Sequence, residues 1–179
     1  MKLLKVKVGI LTVASAAMAL MMSGSALASP AHLSYPRTIT GPEAIYGAVY
    51  GHAANSHRPI IPVTLVGVVN THGIVLVRGG RFHTVPTTAG KLFVLDVGKP
   101  QVTQTADFKN CYATFTLWQT AKVVGGTGAF WHAYGPAAYK LYHAAYFPRY
   151  KGKCWFRARP FSRGAVLSFL GTAVLTVRM

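Results

Sequence analysis

From residue 60 onward, apolar residues fall into short runs separated by Gly, Pro and polar punctuation. Residues 60–70 and 74–78 are Val/Ile/Leu runs joined by Thr71-His72-Gly73, a hairpin signal. A further run at 91–97 follows Ala89-Gly90. Residues 111–118 alternate most cleanly, with Ala113, Phe115 and Leu117 on one side and Tyr112, Thr114, Thr116 and Trp118 on the other. A two-residue period predicts a strand, because successive side chains of a strand point to opposite faces. Residues 165–169 and 172–178 close the chain, the last run with Ala173, Leu175 and Val177 on one face. Short strands without convincing helices between them predict an all-β chain folded as an antiparallel sandwich or barrel.

Two segments do not follow that pattern. Residues 29–59 are rich in Pro, Gly, Ser, His and Tyr and read as an N-terminal extension or linker. Within it, 42–54 is a candidate short helix, opened by Pro42 with Glu43 near the positive end of its dipole and weakened by Gly47 and Gly51. Residues 136–147 carry two periods at once. Tyr139, Tyr142 and Tyr146 share a helical face, whereas Tyr139, Leu141, His143, Ala145 and Phe147 alternate as in a strand.

The first residues have a different logic. Lys2, Lys5 and Lys7 precede an uncharged apolar run at 8–22, and Ala26 and Ala28 occupy the small-residue positions of a cleavage site. This order predicts a secretory signal peptide cut after Ala28, and the apolar run is shorter than the roughly 20 residues of a spanning helix. The expected organisation is a signal peptide at 1–28, an extension at 29–59 and a β-domain at 60–179, secreted and without a transmembrane anchor after cleavage. An outer-membrane barrel fits poorly, since the chain ends in Arg178-Met179 and has few strands of full spanning length.

Charge narrows the picture further. The formal net charge is +16, and loss of the three leader lysines leaves +13, with only Glu43, Asp96 and Asp107 opposing the sixteen remaining basic residues. With 51% apolar residues the chain is not of disordered composition and has material for one core. Cys111 and Cys154 are its only cysteines, and in an exported chain one bridge between them is the simplest expectation. On the chain-entropy model that closure stabilises the fold by roughly 4 kcal/mol.

The most specific string is Val123-Val124-Gly125-Gly126-Thr127-Gly128-Ala129-Phe130. It resembles the signature of small eight-stranded barrels related to allene oxide cyclase and the plant dirigent proteins. Gly152-Lys153-Cys154 and the closing strand at 171–178 match the order of segments in similar exported bacterial proteins. The resemblance covers roughly the last two-thirds of the chain. It implies an antiparallel barrel of about eight strands, tips 136–147 towards strand, and brings a pocket that holds a small molecule against few polar groups. Gly125, Gly126, Thr127 and Gly128 then read as a structural turn, with Phe130 anchoring the returning strand in the core.

Candidate chemistry is sparse. Asp96 lies in the run at 91–97 and can face inward, while Asp107 reads as a solvated turn residue. The seven histidines, His32, His52, His57, His72, His83, His132 and His143, show no metal-ligand spacing, and no cofactor motif is present. No G-x-S-x-G elbow occurs either. Aromatic residues for a pocket are supplied around Trp118, Trp131 and Tyr134.

The basic residues are more concentrated. Arg149, Lys151, Lys153, Arg157, Arg159 and Arg163 are interleaved with Tyr150, Trp155, Phe156 and Phe161. Such a segment grips anions while its rings stack on flat or amphipathic surfaces. No nucleic-acid-binding motif accompanies it. The first expectation is a secreted, non-catalytic protein whose basic aromatic surface recognises an anionic envelope or extracellular polymer. The alternative is a barrel whose interior holds a small apolar molecule, with cyclase-like or dirigent-like activity as the resemblance implies.

Overall fold

A computed structural model describes residues 37–77 and 79–178. The signal-peptide reading of 1–28, and His32, lie outside the described residues. Among those residues every regular element is a strand: β1 (Thr38–Tyr50), β2 (Ile60–Gly67), β3 (Thr71–Leu76), β4 (Phe82–Thr87), β5 (Gly90–Asp107), β6 (Tyr112–Gly128), β7 (Gly135–Tyr146), the two-residue strands β8 (Arg149–Tyr150) and β9 (Lys153–Cys154), and β10 (Val166–Arg178). Eight of them close an antiparallel barrel in the order β1-β10-β7-β6-β5-β4-β3-β2, and β8 and β9 form a separate small hairpin. All-β architecture and closure into a barrel are therefore as expected.

The barrel begins earlier than residue 60. The stretch at 42–54 expected as a helix is mostly strand, because β1 pairs with β10 along its whole length, from Thr38↔Arg178 to Tyr50↔Val166. Ladder hydrogen bonds on both sides of β1 override the weak helical signal of Pro42 and Glu43. Pro42 stands opposite Val174 in that register. Glu43 is not a solvated helix-end charge but a fully buried side chain. Residues 136–147 resolve as strand for the same reason: β7 lies between β6 and β10, paired to both.

The barrel is an apolar core wrapped by its own wall. Ile45, Ile61, Val63, Leu65, Leu92, Val123, Leu175 and Val177 are buried inside it. A spanning outer-membrane barrel has a polar interior, the reverse of this arrangement. One end is stoppered by Phe130, which has no exposed surface. Gly126 makes room for it: a Cβ there would come within 2.4 Å of the Phe130 Cβ and 2.6 Å of the Lys91 carbonyl oxygen.

The glycine string differs in one respect from the expected turn. Gly125 to Gly128 are the last rungs of β6, opposite Phe93, Leu92, Lys91 and Gly90. The turn itself starts at Gly128 (φ 63°), where Trp131 N–H donates to the Gly128 carbonyl at 3.0 Å. Close approach to Phe130 and Lys91 demands glycine at 126, whereas the positive φ of Gly128 belongs to the turn.

The opposite end is uneven. Phe82, at the start of β4, stands opposite Leu95, yet β5 continues to Asp107 after an irregularity between Val97 and Gln101. β5 and β6 thus rise above the β3–β4 side. Alternating strand direction brings the β1–β2, β3–β4, β5–β6 and β7–β10 connections to this one end. The expected disulfide is formed there, with Cys111 and Cys154 Cα atoms 5.1 Å apart, tying the β5–β6 turn to the hairpin of β8 and β9. Lys151 (φ 49°) and Gly152 (φ 76°) make that hairpin's two-residue turn, both with positive φ as a type I′ turn requires.

Candidate functional site

The core does not fill the barrel. Between the Phe130 stopper and the uneven end lies a cavity of about 140 Å³, lined by Val75, Val85, Val94, Leu117, Leu141 and Phe169 among others. An apolar cavity near 150 Å³ stays dry and accepts benzene, so this one has the size for a single ring. Small residues create the space. Ala137, Ala173 and Gly171 line it on β7 and β10, where larger inward side chains would close it.

Four polar residues belong to the lining, His83, Thr84, Tyr139 and Thr172, and the first and third of these lean on Asp96. The Tyr139 hydroxyl donates to Oδ1 and Oδ2 of Asp96 at 3.2 and 3.1 Å, and His83 Nε2 lies 3.0 Å from Oδ2. Register explains the meeting. Asp96 on β5 is level with Ala121 on β6 and Ala137 on β7, with Tyr139 two residues further along. The methyl of Ala121 leaves Tyr139 free to reach across β6. Phe169 stacks on the Tyr139 ring at 5.4 Å, fixing its plane. Burial, together with the neighbouring carboxyl of Asp96, pushes the Tyr139 phenol well above its ordinary range, so it remains a donor. With Nε2–H donating to Asp96, a neutral His83 presents Nδ1 as an acceptor. The arrangement offers a bound molecule a largely apolar enclosure in which His83 and Tyr139 are held in place by Asp96.

Asp96 thus faces inward as its strand position suggested, although it stands behind His83 and Tyr139, which line the cavity. The aromatic residues expected around a pocket lie elsewhere. Trp118, Trp131 and Tyr134 are all exposed, and none of them lines the cavity. Trp118 sits on the outward phase of β6, with the Lys140 ammonium 4.8 Å from its ring centre. Trp131 and Tyr134 belong to the β6–β7 connection at the stoppered end.

A second buried acid escaped the sequence reading. Glu43 has its Oε2 held by the Val69 N–H at 3.0 Å, whereas Oε1 has no hydrogen-bond partner. Burial raises its pKa against the lowering effect of the Val69 and Val68 amides. The signal was one of only three acids placed among β1 residues, and it was hidden because β1 looked like a linker. Asp107, by contrast, is the expected turn residue. It accepts from the Lys109 and Asn110 amides at 2.8 and 3.2 Å, and these bonds with the Asn110 side chain lower its pKa.

The six basic residues Arg149, Lys151, Lys153, Arg157, Arg159 and Arg163 are all exposed. Arg149 donates to the Lys109 and Gly152 carbonyls, which positions its charge without neutralising it. Among the described residues, no Lys or Arg pairs with a carboxylate, and the one His–carboxylate contact is His83–Asp96. No group of His, Cys, Asp and Glu among the described residues is arranged to hold a metal ion. No family model, characterised protein or solved structure matches this chain.

Proposed function

We propose that this protein binds a small, largely apolar molecule bearing one hydrogen-bonding group, held inside the barrel against His83 and Tyr139. The observation that carries the reading is the coincidence of a largely apolar cavity with the His83 and Tyr139 side chains, braced from behind by Asp96. Ligand pockets are built this way, with many apolar contacts for affinity and few polar ones for orientation. The resemblance of residues 123–130 to allene oxide cyclase-like and dirigent-like barrels supports the same reading, since those proteins hold a reactive molecule in a shaped interior.

Toluene and p-cresol test it, because they differ by one hydroxyl. Calorimetry should give saturable, one-to-one binding of both, with p-cresol tighter. His83→Ala should weaken p-cresol by up to about tenfold, the value of one hydrogen bond, and leave toluene unchanged. Filling the cavity with Ala137→Leu should abolish both. Failure of either probe to bind the unaltered protein would remove the proposal.

A further inference from the structure

Residues 153–163 follow an alternation that the barrel does not require. Lys153, Trp155, Arg157, Arg159, Phe161 and Arg163 are exposed, while the even-numbered residues between them are half-buried. Phe156 explains the inner phase: it packs edge-on against Phe108 and Phe147, at 5.4 and 5.3 Å between ring centres. The hairpin adds Tyr150 and Lys151 to the outer side, and Phe108 of the β5–β6 turn is 72% exposed. Cations and aromatic rings are thus presented together. The disulfide fixes this lobe to the barrel wall.

We infer that this lobe docks the protein on an anionic lipid surface. Exposed charge alone would suit any polyanion, and an exposed ring gains nothing from a soluble polymer's phosphates. Rings set among cations gain at a bilayer, where the aromatic body enters the boundary between headgroups and acyl chains while Lys and Arg meet the phosphates. Each basic group near such a surface contributes about 1 kcal/mol. This face carries one acid, Asp107 beside Phe108 in the β5–β6 turn, against the six exposed Lys and Arg residues of 149–163, so its charge stays strongly positive. Open ground beside Arg149 and Arg163, floored by Tyr146, Phe147 and Phe161, suits a phosphate-bearing headgroup. The lobe also leaves the barrel from the same end as the β3–β4 connection, beside which Leu76, Val77 and His83 line the cavity. A molecule dissolved in the lipid would meet the barrel there.

The test uses vesicles of phosphatidylcholine with and without 30% phosphatidylglycerol, and a soluble polyphosphate as competitor. To report on one ring, Trp155 fluorescence is read in a Trp118→Phe/Trp131→Phe background. Partitioning to the anionic vesicles only, weakened by salt and accompanied by a blue shift of Trp155, is the expected result. Reversing charge at Arg157, Arg159 and Arg163 should cost at least about a hundredfold in partitioning. Replacing Trp155 and Phe161 by Ala, with every charge kept, should cost about tenfold. Thermal unfolding checks that each variant keeps its barrel. Equal binding to both vesicle types, an unshifted Trp155 or an inert aromatic double variant would each overturn the inference. Complete competition by polyphosphate with no blue shift would assign the lobe to soluble polyanions instead.

Discussion

The hydroxyl of Tyr139 reaches across a whole strand to the carboxyl of Asp96, lying 3.1 and 3.2 Å from its two oxygens. Ala121 on the intervening strand makes that reach possible, and His83 completes the group from the other side. Three side chains separated by 13 and 43 positions in sequence thereby become one hydrogen-bonded group.

Tyr139→Phe keeps the ring on Phe169 and removes only the hydroxyl. We expect it to cost about 1–3 kcal/mol in urea unfolding, because a buried acceptor loses a donor. Asp96→Ala should cost more, and the double variant less than the sum of the two. Strict additivity would show that the contact carries no energy.

Glu43 makes stability fall as pH rises. Its folded pKa is raised by burial above the ordinary carboxyl value of 4.5. Below pH 4.5 both states are protonated and the fold is not penalised. Above it the unfolded chain ionises more readily, and stability is lost until pH passes the folded pKa. Glu43→Gln should flatten the dependence over that window, as followed by thermal unfolding at a series of pH values. An unchanged slope would mean the orphaned Oε1 is met by water or by movement.

Much of this architecture was legible from side-chain alternation. Residues 111–118 announced a strand, and Cys111 and Cys154 announced their bridge. β1 was not legible, since Pro42, Gly47 and Gly51 dilute its pattern and its strand character comes from pairing with β10. Asp96 was recognisable as an inward acid. Its partners His83 and Tyr139 were not, because barrel register sets who faces whom and no local signal encodes it. The tryptophans misled in the opposite direction: bulk suggests burial, but Trp118 falls on the outward phase of its strand.

Gly126→Ala should be severely destabilising, by more than the 1–3 kcal/mol of ordinary overpacking, since the new methyl meets backbone and the Phe130 stopper at once. Gly79→Ala, with nothing within 4 Å of its added Cβ, is the control and should change unfolding little. Similar melting temperatures for the two variants would contradict the close approach of β5 and the stopper.

Breaking the bridge by Cys111→Ala and Cys154→Ala should cost roughly 2–5 kcal/mol. Loosening should concentrate at the β5–β6 turn and the β8–β9 hairpin. Amide exchange there should rise well before the strands around Phe130 respond. Uniform exchange across the barrel would show that the bridge supports the whole fold instead.

The central claim is that the barrel interior is a binding site, and methyl NMR tests it most directly. Titration with p-cresol should shift the methyls of Val85, Val94, Leu117 and Leu141, which line the cavity, along one saturable curve. Methyls of the exposed Val97 and Val174 should stay in place. Absence of saturation, or shifts confined to outward methyls, would contradict the account.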